Sequence, residues 1–370
     1  MQDSYLEEIL EFTNPDIREE YVNPHGTVRI GKVLEDLDAL AGSIAYMHCD
    51  DNSAETIPLT IVTASLDRID LLQSIPMDQD LRLSGHVTWV GSSSMEVSCW
   101  LETMSTPPPD PRETSYGVGV LAAQKRVPGK KILTAKFSMV ARDPITGKAA
   151  KVNQLILETD EDRRLFRSGA EHKARKLMDS QFDLSAVPPS FEELNLVHEL
   201  YKEYIQYLDP TYKREMPSNV QWMKDTVQQN LVMCMPQDRN IHGNVFGGYL
   251  LRLAFELASS TGMIFAKSRA NFVALDDIKF KKPVKVGALL SLTSQVVYSS
   301  GRTFQVKVRA DVIDPIKDEQ STTNTFHLTF EADHDVSRVM PRSYDESMRY
   351  IEGRRKKERW MRVSETNSTN

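Results

Sequence analysis

The chain of 370 residues is long enough for two domains, each able to bury its own core. Its hydrophobic content of 40% and charged content of 26% are ordinary for a globular protein. A formal net charge of −7 argues against general nucleic-acid binding, and no apolar run approaches the ~20 residues that span a bilayer. The three cysteines are dispersed without metal-ligand spacing, which favours a reducing compartment.

The first half of the chain predicts one long helix followed by strands. Apolar residues at helical spacing indicate a helix over residues 28–46. β-Branched and alternating apolar segments, bounded by Gly, Ser or Pro, then predict strands at Pro58–Asp67, Leu81–Trp89, Met95–Met104 and Lys131–Ala141. A long irregular loop, Ser105–Gly129, separates the last two strands.

The second half repeats this order after a helical segment. That segment contains a charged helix, Asp162–Leu177, and a second helix, Phe191–Leu208, which begins at a Ser190–Glu193 capping box. A helix over 247–265 and strands near 226–235, 272–280, 288–298, 303–313 and 322–332 follow. The basic run Arg354–Lys357, followed by Ser364–Asn370, is typical of a solvated, frayed tail.

The two halves are copies of each other. His25-Gly26-Thr27-Val28 and its helix match His242-Gly243-Asn244-Val245 and the helix there at an offset of 217, and the strands match at an offset of 209. A repeat this long indicates two homologous domains rather than solenoid units. The sequence therefore predicts an α+β protein with domains at 20–158 and 216–335, a helical linker at 159–215 and a C-terminal segment at 336–370.

Chemistry is expected where the copies differ. Asp38 lies on the first helix at the edge of its apolar stripe, and Phe255 takes its place in the second copy. A carboxylate beside apolar side chains has a raised pKa, which suits a general base. The alternative is an ordinary, half-exposed helix residue. Thr63, on the following strand, is a candidate for orienting a water near Asp38, or is simply a strand residue.

The turn before the second helix is the other candidate. Asn244 stands where the first copy has Thr27, and Gly247 and Gly248 follow it. First-turn N–H groups of a helix have no helical partner and stabilise developing negative charge. The alternative is that Asn244 is an N-cap and the glycines serve packing. Both copies keep a histidine, which favours a structural role for it.

Basic residues could meet an anionic ligand in the second copy. Lys282, Lys285 and Arg302 are candidates for phosphate contacts, although lysines along an edge strand also keep it soluble. The sequence has no GxSxG elbow and no convincing Cys–His pairing, which disfavours a serine- or cysteine-nucleophile hydrolase.

Several motifs together resemble the hotdog-fold acyl-CoA thioesterases, and the acyl-CoA thioesterase 9 family in particular. The His-Gly-Asn-Val-Phe-Gly-Gly-Tyr run at 242–249 carries the general resemblance. The closer one rests on segments 29–38, 84–91, 139–143, 274–278 and 323–327, and the similarity runs from about residue 3 to 353. It implies tandem hotdog domains, each a long central helix wrapped by a curved antiparallel β-sheet.

The resemblance also implies an activity. Acyl-CoA would be hydrolysed to free acid and CoA at one composite site between the two domains, where Asp38 and Asn244 are the catalytic pair. Gly247 and Gly248 would hold the oxyanion, and the positions of a second site hold Thr27 and Phe255, so that site should be inactive. Neither metal nor cofactor is implied. The alternatives are an enoyl-thioester hydratase or a catalytically silent acyl-CoA-binding protein.

Assembly and compartment follow from the same resemblance. Similar proteins form rings of six hotdog domains, so this chain, with two such domains, is expected to form a homotrimer. No nucleic-acid partner is expected. The family points to mitochondria, whereas the acidic residues 1–8 are unlike an organelle presequence and leave the cytoplasm open.

Overall fold

The computed structural model describes residues 1–50, 53, 56–104, 129–179, 184, 187–212, 214–240 and 243–368. It divides into two compact units. The first contains Met1–Lys173, Gln237–Leu253 and Asp277–Pro283, and the second contains Ala174–Pro236, Ala254–Asp276 and Val284–Asn370. Most of the predicted loop Ser105–Gly129 and His242 lie outside the described residues.

The helices and strands of the first half follow the predicted order. They are β1 (Leu6–Leu10), α1 (Pro15–Tyr21), α2 (Ile30–Cys49), β2 (Thr60–Leu66), β3 (Ile69–Leu71), β4 (Leu81–Val90), β5 (Ser94–Thr103), β6 (Lys131–Arg142) and α3 (Asp160–Asp179).

The second half begins with α4 (Phe191–Leu208), whose predicted Ser190–Glu193 capping box is formed. The elements that follow are β7 (Val220–Trp222), β8 (Gln228–Met233), α5 (Gly247–Ala266), β9 (Ala270–Leu275), β10 (Ile278–Lys279), β11 (Leu289–Ser300), β12 (Thr303–Asp314), β13 (Glu319–Ala332), β14 (Arg338–Met340) and α6 (Tyr344–Ser368).

In the first unit, one long helix covers an antiparallel sheet. The sheet runs β1-β4-β5-β6, after which β6 pairs with β2 and β3, and β10 pairs with β2. The helix α2 packs on β2, β4, β5 and β6. Its contact face is fully buried and consists of Val33, Leu34, Leu37, Ala41, Ile44 and Ala45. Burying this apolar stripe stabilises both helix and sheet.

The second unit repeats this arrangement. Its strand order is β8-β11-β12-β13-β9, again antiparallel. Aromatic side chains of α5 pack on the sheet, as when Phe265 meets Phe304 with ring centroids 5.4 Å apart. Each unit is therefore the helix-on-sheet arrangement that the hotdog resemblance implied. Among the described helices, none is long and apolar enough to cross a membrane.

The repeat extends further on its N-terminal side than the sequence predicts. In the first unit the Val87 N–H donates to Ser4 Oγ at 3.1 Å, and in the second the equivalent Val296 N–H donates to Thr226 Oγ1 at 3.0 Å. The strands that follow these hydroxyls, β1 and β8, pair with β4 and β11 in matching registers. The first unit thus includes residues that the boundary at 20 left out.

The repeat also continues past the last strand of each unit. In α3, a Cβ on Gly169 would lie 2.5 Å from the Trp89 side chain, and in α6, a Cβ on Gly353 would lie 2.8 Å from the equivalent Tyr298. Lys173 and Lys357 each follow their glycine by four residues, and their ammonium groups lie over those same rings. Helix α3 is therefore the counterpart of α6, and its first part belongs to the first unit.

The prediction of a solvated tail is wrong for its basic run, Arg354–Lys357, which lies within helix α6. Helix α6 runs to Ser368 and buries Tyr350 and Ile351. Its basic residues have acidic partners, since Arg355 Nε lies 2.6 Å from Glu193 Oε1 and Lys356 bonds a buried aspartate. A run of four cations resembles a solvated segment in sequence, but here Arg354, Arg355 and Lys356 bond specific carboxylates and Lys357 lies over the Tyr298 ring.

Candidate active site

Asp38 is a buried carboxylate in the middle of α2. Its exposed fraction is only 2%, so it lies within the apolar face of the helix rather than at its edge. The neighbouring Asp36 points elsewhere and accepts a hydrogen bond from the Tyr21 hydroxyl at 2.6 Å. Burial of an ionisable group without a full charge partner is costly, so such a group is retained only where it serves a purpose.

Thr63 fixes one oxygen of this carboxylate. Its hydroxyl donates to Asp38 Oδ1 at 3.0 Å from β2. The other oxygen, Oδ2, accepts no side-chain hydrogen bond among the residues that the structure describes, and the backbone N–H of Gly248 lies near the carboxylate. One oxygen is therefore held in place while the other is available for chemistry. The sequence suggested that Thr63 orients a water near Asp38, whereas in the structure its hydroxyl bonds Asp38 itself.

Asp38 Oδ2 faces the first turn of α5. A Cβ added to Gly247 would lie 3.0 Å from Asp38 Oδ2 and 3.4 Å from the Phe280 ring. A Cβ on Gly248 would lie 2.9 Å from the Glu35 carbonyl oxygen in α2. The glycines thus allow α5 to begin directly against α2, and both belong to the first unit. The two chain segments predicted to share a site meet within one compact unit.

Burial raises the pKa of Asp38 to about 6. The hydrogen bond from Thr63 and the backbone N–H of Gly248 act in the opposite direction and lower it, while the negative charge of Glu35 raises it further. A carboxylic acid with a pKa near 6 is largely ionised at neutral pH yet remains basic enough to take a proton from water.

An ion pair beside the site was missed by sequence reasoning. Arg252 Nε in α5 lies 3.2 Å from Glu35 Oε2 in α2. Glu35 precedes Asp38 by one helical turn, and Arg252 follows Gly248 by one turn. The pair therefore joins the two helices next to the contact between Asp38 and the glycines. Helical spacing from the two candidate positions is the signal that could have found it.

Asn244 lies on the turn that precedes α5. Its carbonyl accepts from the Asn240 N–H at 2.7 Å, and its own N–H donates to Asn240 Oδ1 at 3.2 Å. The first copy forms the same turn, where the Asn23 N–H donates to the Thr27 carbonyl at 2.8 Å. In the described part of the chain, no hydrogen bond joins the Asn244 side chain to Asp38.

The equivalent positions in the second unit are filled by rings. Phe255 replaces Asp38 and Phe272 replaces Thr63, and their centroids are 5.2 Å apart in an edge-to-face contact. Phe330 lies 6.2 Å from both. Where the first unit has a carboxylate bonded to a hydroxyl, the second has an aromatic cluster without ionisable groups.

The basic candidates are dispersed and exposed. Lys282 and Lys285 are both exposed. Arg302 forms an ion pair with Glu331, whose Oε1 lies 2.6 Å from its guanidinium. Within the first unit, no described hydrogen bond or ion pair joins Lys282 to Asp38.

Known proteins are similar to this chain in sequence. A model of the Thioesterase superfamily matches residues 25–103 and 242–315, the two segments that carry the helix-opening turns. The human protein "Acyl-coenzyme A thioesterase 9, mitochondrial" is 41% identical over 361 residues, covering 96% of this chain and 77% of its own length. The chain belongs to the acyl-CoA thioesterase 9 family.

Plant relatives of this family are also similar. "Acyl-coenzyme A thioesterase 4, mitochondrial" of Humulus lupulus is 38% identical over 91% of this chain and 62% of its own length. Among solved structures, an acyl-CoA hydrolase from Staphylococcus aureus in complex with butyryl-CoA and CoA is 27% identical. It covers 40% of this chain and 96% of its own, with a TM-score of 0.38.

Proposed function

We propose that this chain is an acyl-CoA thioesterase, which hydrolyses fatty acyl-CoA to a free fatty acid and CoA. Membership of the acyl-CoA thioesterase 9 family supports the reaction. The observation that carries the site is the buried Asp38, held through Oδ1 by Thr63 and turned through Oδ2 to the start of α5. A positioned carboxylate with an open oxygen suits the activation of water.

In this mechanism Asp38 acts as a general base. Its Oδ2 takes a proton from water as the water oxygen bonds to the thioester carbon. The N–H groups of Gly247 and Gly248 stabilise the oxyanion that forms, and Asn244 orients the water or the carbonyl. Collapse of the tetrahedral intermediate breaks the C–S bond, and Asp38 returns its proton to the CoA thiolate. Every proton and electron pair is accounted for without a metal or cofactor.

The two units have different roles in this proposal. Asp38 and Asn244 come from different repeats and form one composite site, while the second unit, with Phe255 and Phe272 at the equivalent positions, lacks a base. Lys282, Lys285 and Arg302 are proposed contacts for the CoA phosphates. Each unit is a hotdog domain whose curved sheet wraps its helix, and the two act in tandem.

The assembly and compartment are part of the proposal. Three chains would form a ring of six hotdog domains, so the particle mass in solution should be three times the 42.0 kDa of one chain. Mitochondria are the proposed compartment, in keeping with the names of the human, mouse and bovine relatives.

Thiol release from a series of acyl-CoA chain lengths tests the activity. We expect turnover by the wild type and a loss of about 10²- to 10⁴-fold in Asp38→Asn, since a general base contributes that much. Asn244→Ala should also lose turnover with its fold intact. Binding of acyl-CoA without thiol release would indicate a silent binding protein, and hydration of crotonyl-CoA without thiol release would indicate a hydratase.

A single turnover in H₂¹⁸O tests for a nucleophilic role of Asp38 in which water opens the intermediate at the aspartyl carbon. A general base leaves the label in the fatty acid alone. A nucleophile forms an acyl–aspartyl anhydride, and hydrolysis at the aspartyl carbon leaves ¹⁸O in the Asp38 peptide. Mass spectrometry of that peptide should find no label, and a labelled Asp38 would replace the base mechanism by the covalent one.

A further inference from the structure

Two contacts in the first unit join a residue to its own counterpart in the other copy. Arg252 is the counterpart of Glu35 at the helix offset of 217, and Asp277 is the counterpart of Arg68 at the strand offset of 209. Arg252 Nε lies 3.2 Å from Glu35 Oε2, and the Arg68 backbone N–H donates to Asp277 Oδ1 at 2.9 Å. All four residues belong to the first unit. Equivalent positions meet on a two-fold axis, so such an axis relates the segments of the two copies that form this unit.

Both contacts join residues of opposite charge. The first copy contributes the anion Glu35 and the cation Arg68, whereas the second contributes the cation Arg252 and the anion Asp277. A first copy paired with another first copy would bring two Glu35 side chains together, and also two Arg68 side chains. A second copy paired with another second copy would likewise join two arginines and two aspartates. Only the mixed pairing places opposite charges at both contacts.

Like charges at the first contact would repel strongly. The backbones of α2 and α5 come close here, since a Cβ on Gly248 would lie 2.9 Å from the Glu35 carbonyl oxygen. The Glu35 and Arg252 side chains are only 17% and 23% exposed, so solvent screens their charges little. Lys32 lies 3.9 Å from Glu35 but 3.2 Å from Asp36, the carboxylate that it neutralises more closely. Two carboxylates or two guanidinium groups in this place are therefore unfavourable.

The second contact requires an acceptor opposite Arg68. The Arg68 guanidinium bonds Asp70, with 2.6 Å between Nη2 and Oδ1, while its backbone N–H uses Asp277. An arginine side chain has five donors and no acceptor. In a pair of first copies, the Arg68 N–H would thus face a side chain that cannot accept its hydrogen bond. Loss of the acceptor at a part-buried N–H adds to the cost of that pairing.

We propose that Glu35, Arg68, Arg252 and Asp277 make the first copy pair with the second copy and reject the first copy of another molecule. A partly exposed ion pair adds little stability, but repulsion of the wrong partner can decide which pairing forms. The consequence for activity rests on the proposed composite site. A pair of first copies would have Thr27 in place of Asn244, and a pair of second copies would have Phe255 in place of Asp38.

Charge reversal in the full-length chain tests the complementarity. Glu35→Arg and Arg252→Glu each place like charges at the first contact, so each should lower Tm and reduce thiol release about 10-fold or more. The variant with both changes has opposite charges again, with the signs exchanged, and should recover the wild-type Tm and most of the turnover at pH about 8, where Asp38 is ionised. Single reversals without effect, or a double variant without recovery of Tm, would overturn the proposal. An inactive wild type with this pattern of Tm would refute the hydrolysis alone.

Refolding from urea separates choice of partner from ordinary stabilisation. The variant Glu35→Gln/Arg68→Gln/Arg252→Gln/Asp277→Asn is neutral at both contacts, so equal copies from different chains no longer repel. It should give particles heavier than the wild type in increasing proportion as the chain concentration rises, measured by light scattering after size-exclusion chromatography. The wild type should refold to one particle mass over the same range.

Glu193→Gln/Arg355→Gln is the matched control. It removes an ion pair of similar exposure, 14% and 26%, which joins positions of α4 and α6 that are not counterparts. This variant should refold to the wild-type mass at every concentration. Wild-type mass for the neutral variant as well would overturn the proposal and leave the four residues as ordinary stabilising contacts. Heavier particles from both variants would also overturn it, because loss of stability alone would then explain them.

Discussion

The ring of Phe255 meets the ring of Phe272 edge to face, with 5.2 Å between centroids, at the positions where the first unit joins Asp38 to Thr63. The duplication produced two pairs of equivalent positions, and the two units now hold different kinds of side chain there. In the first unit a buried carboxylate is kept at a cost in stability. In the second, packing of two aromatic rings contributes stability instead.

Truncating one ring should therefore affect stability and not chemistry. We expect Phe255→Ala to lower the free energy of unfolding by about 3–5 kcal/mol, because the ring is buried and leaves a cavity. Thiol release at a temperature where the variant stays folded should be unchanged. Phe191→Ala is the matched control, since that ring is 77% exposed. Loss of turnover without loss of stability would place Phe255 in the catalytic machinery.

Asp38→Asn should make the protein more stable at pH about 8. The folded pKa of about 6 exceeds the value of 3.8 for a free aspartate. Folding therefore favours the protonated form, and the cost of the ionised form grows as pH rises from about 4 to 6 and is complete above that. Two pKa units correspond to about 3 kcal/mol.

Urea unfolding as a function of pH measures this effect. The gain of Asp38→Asn over the wild type should approach about 3 kcal/mol at high pH and vanish below about pH 3, where the wild-type carboxyl holds its proton in both states. A variant that is less stable at pH 8 would show that the ionised carboxylate has a stabilising partner.

The positions of the elements were largely predictable, whereas their partners were not. Helices α2, α4 and α5 are long and strongly periodic, so their sequences indicate them directly. Strand β1 has five residues, two of them glutamates, and gives no such signal. The match between α3 and α6 rests on Gly169 and Gly353, whose role appears only when each meets an aromatic side chain across the fold.

The residues of the candidate site were also predictable from the sequence only in part. Asp38 stood out because its copy in the repeat is Phe255, a difference visible in the sequence. The depth of its burial depends on how β2 and the start of α5 cover it, which spacing along one helix does not reveal. The buried contact between Glu96 Oε2 and His172 Nδ1, at 2.8 Å, joins residues 76 positions apart, and no local pattern connects them.

The hydroxyl of Thr63 should set the pH at which activity appears. Its hydrogen bond lowers the pKa of Asp38, so Thr63→Val should raise that pKa. Because the base must be ionised, wild-type kcat/KM should rise with pH through about 6, and the variant should need a higher pH. Thr63→Ser keeps the hydroxyl and should retain the wild-type profile. Identical profiles for the valine and serine variants would remove Thr63 from control of the base.

Glu35 should shift the same profile in the other direction. Its negative charge raises the pKa of Asp38, so Glu35→Gln should move the rise in kcat/KM to lower pH. Arg252→Met removes the cation that lies 3.2 Å from Glu35. The rise in kcat/KM should then move to higher pH. Asp36 lies on the same helix and bonds the Tyr21 hydroxyl, so Asp36→Asn is the control. It should leave the pH dependence of kcat/KM unchanged. Shifts in the same direction for both variants would point to a change in helix position rather than charge.

Gly248→Ala should separate activity from stability at the start of α5. The new methyl group would lie 2.6 Å from the Phe246 ring, 2.9 Å from the Glu35 carbonyl oxygen and 3.0 Å from the Glu35 Cα. Because the last two are backbone atoms of α2, α5 must move away from Asp38. A displacement of about 1 Å at a catalytic contact can reduce kcat about 10²-fold.

Gly42→Ala is the matched control, because it lies in α2 with nothing within 4 Å of the added Cβ. Removal of a glycine from the interior of a helix should stabilise that control by about 0.5–1 kcal/mol and leave kcat unchanged. Full activity in Gly248→Ala would mean that the close approach of α5 to α2 serves packing alone, and the oxyanion role of this turn would then fail.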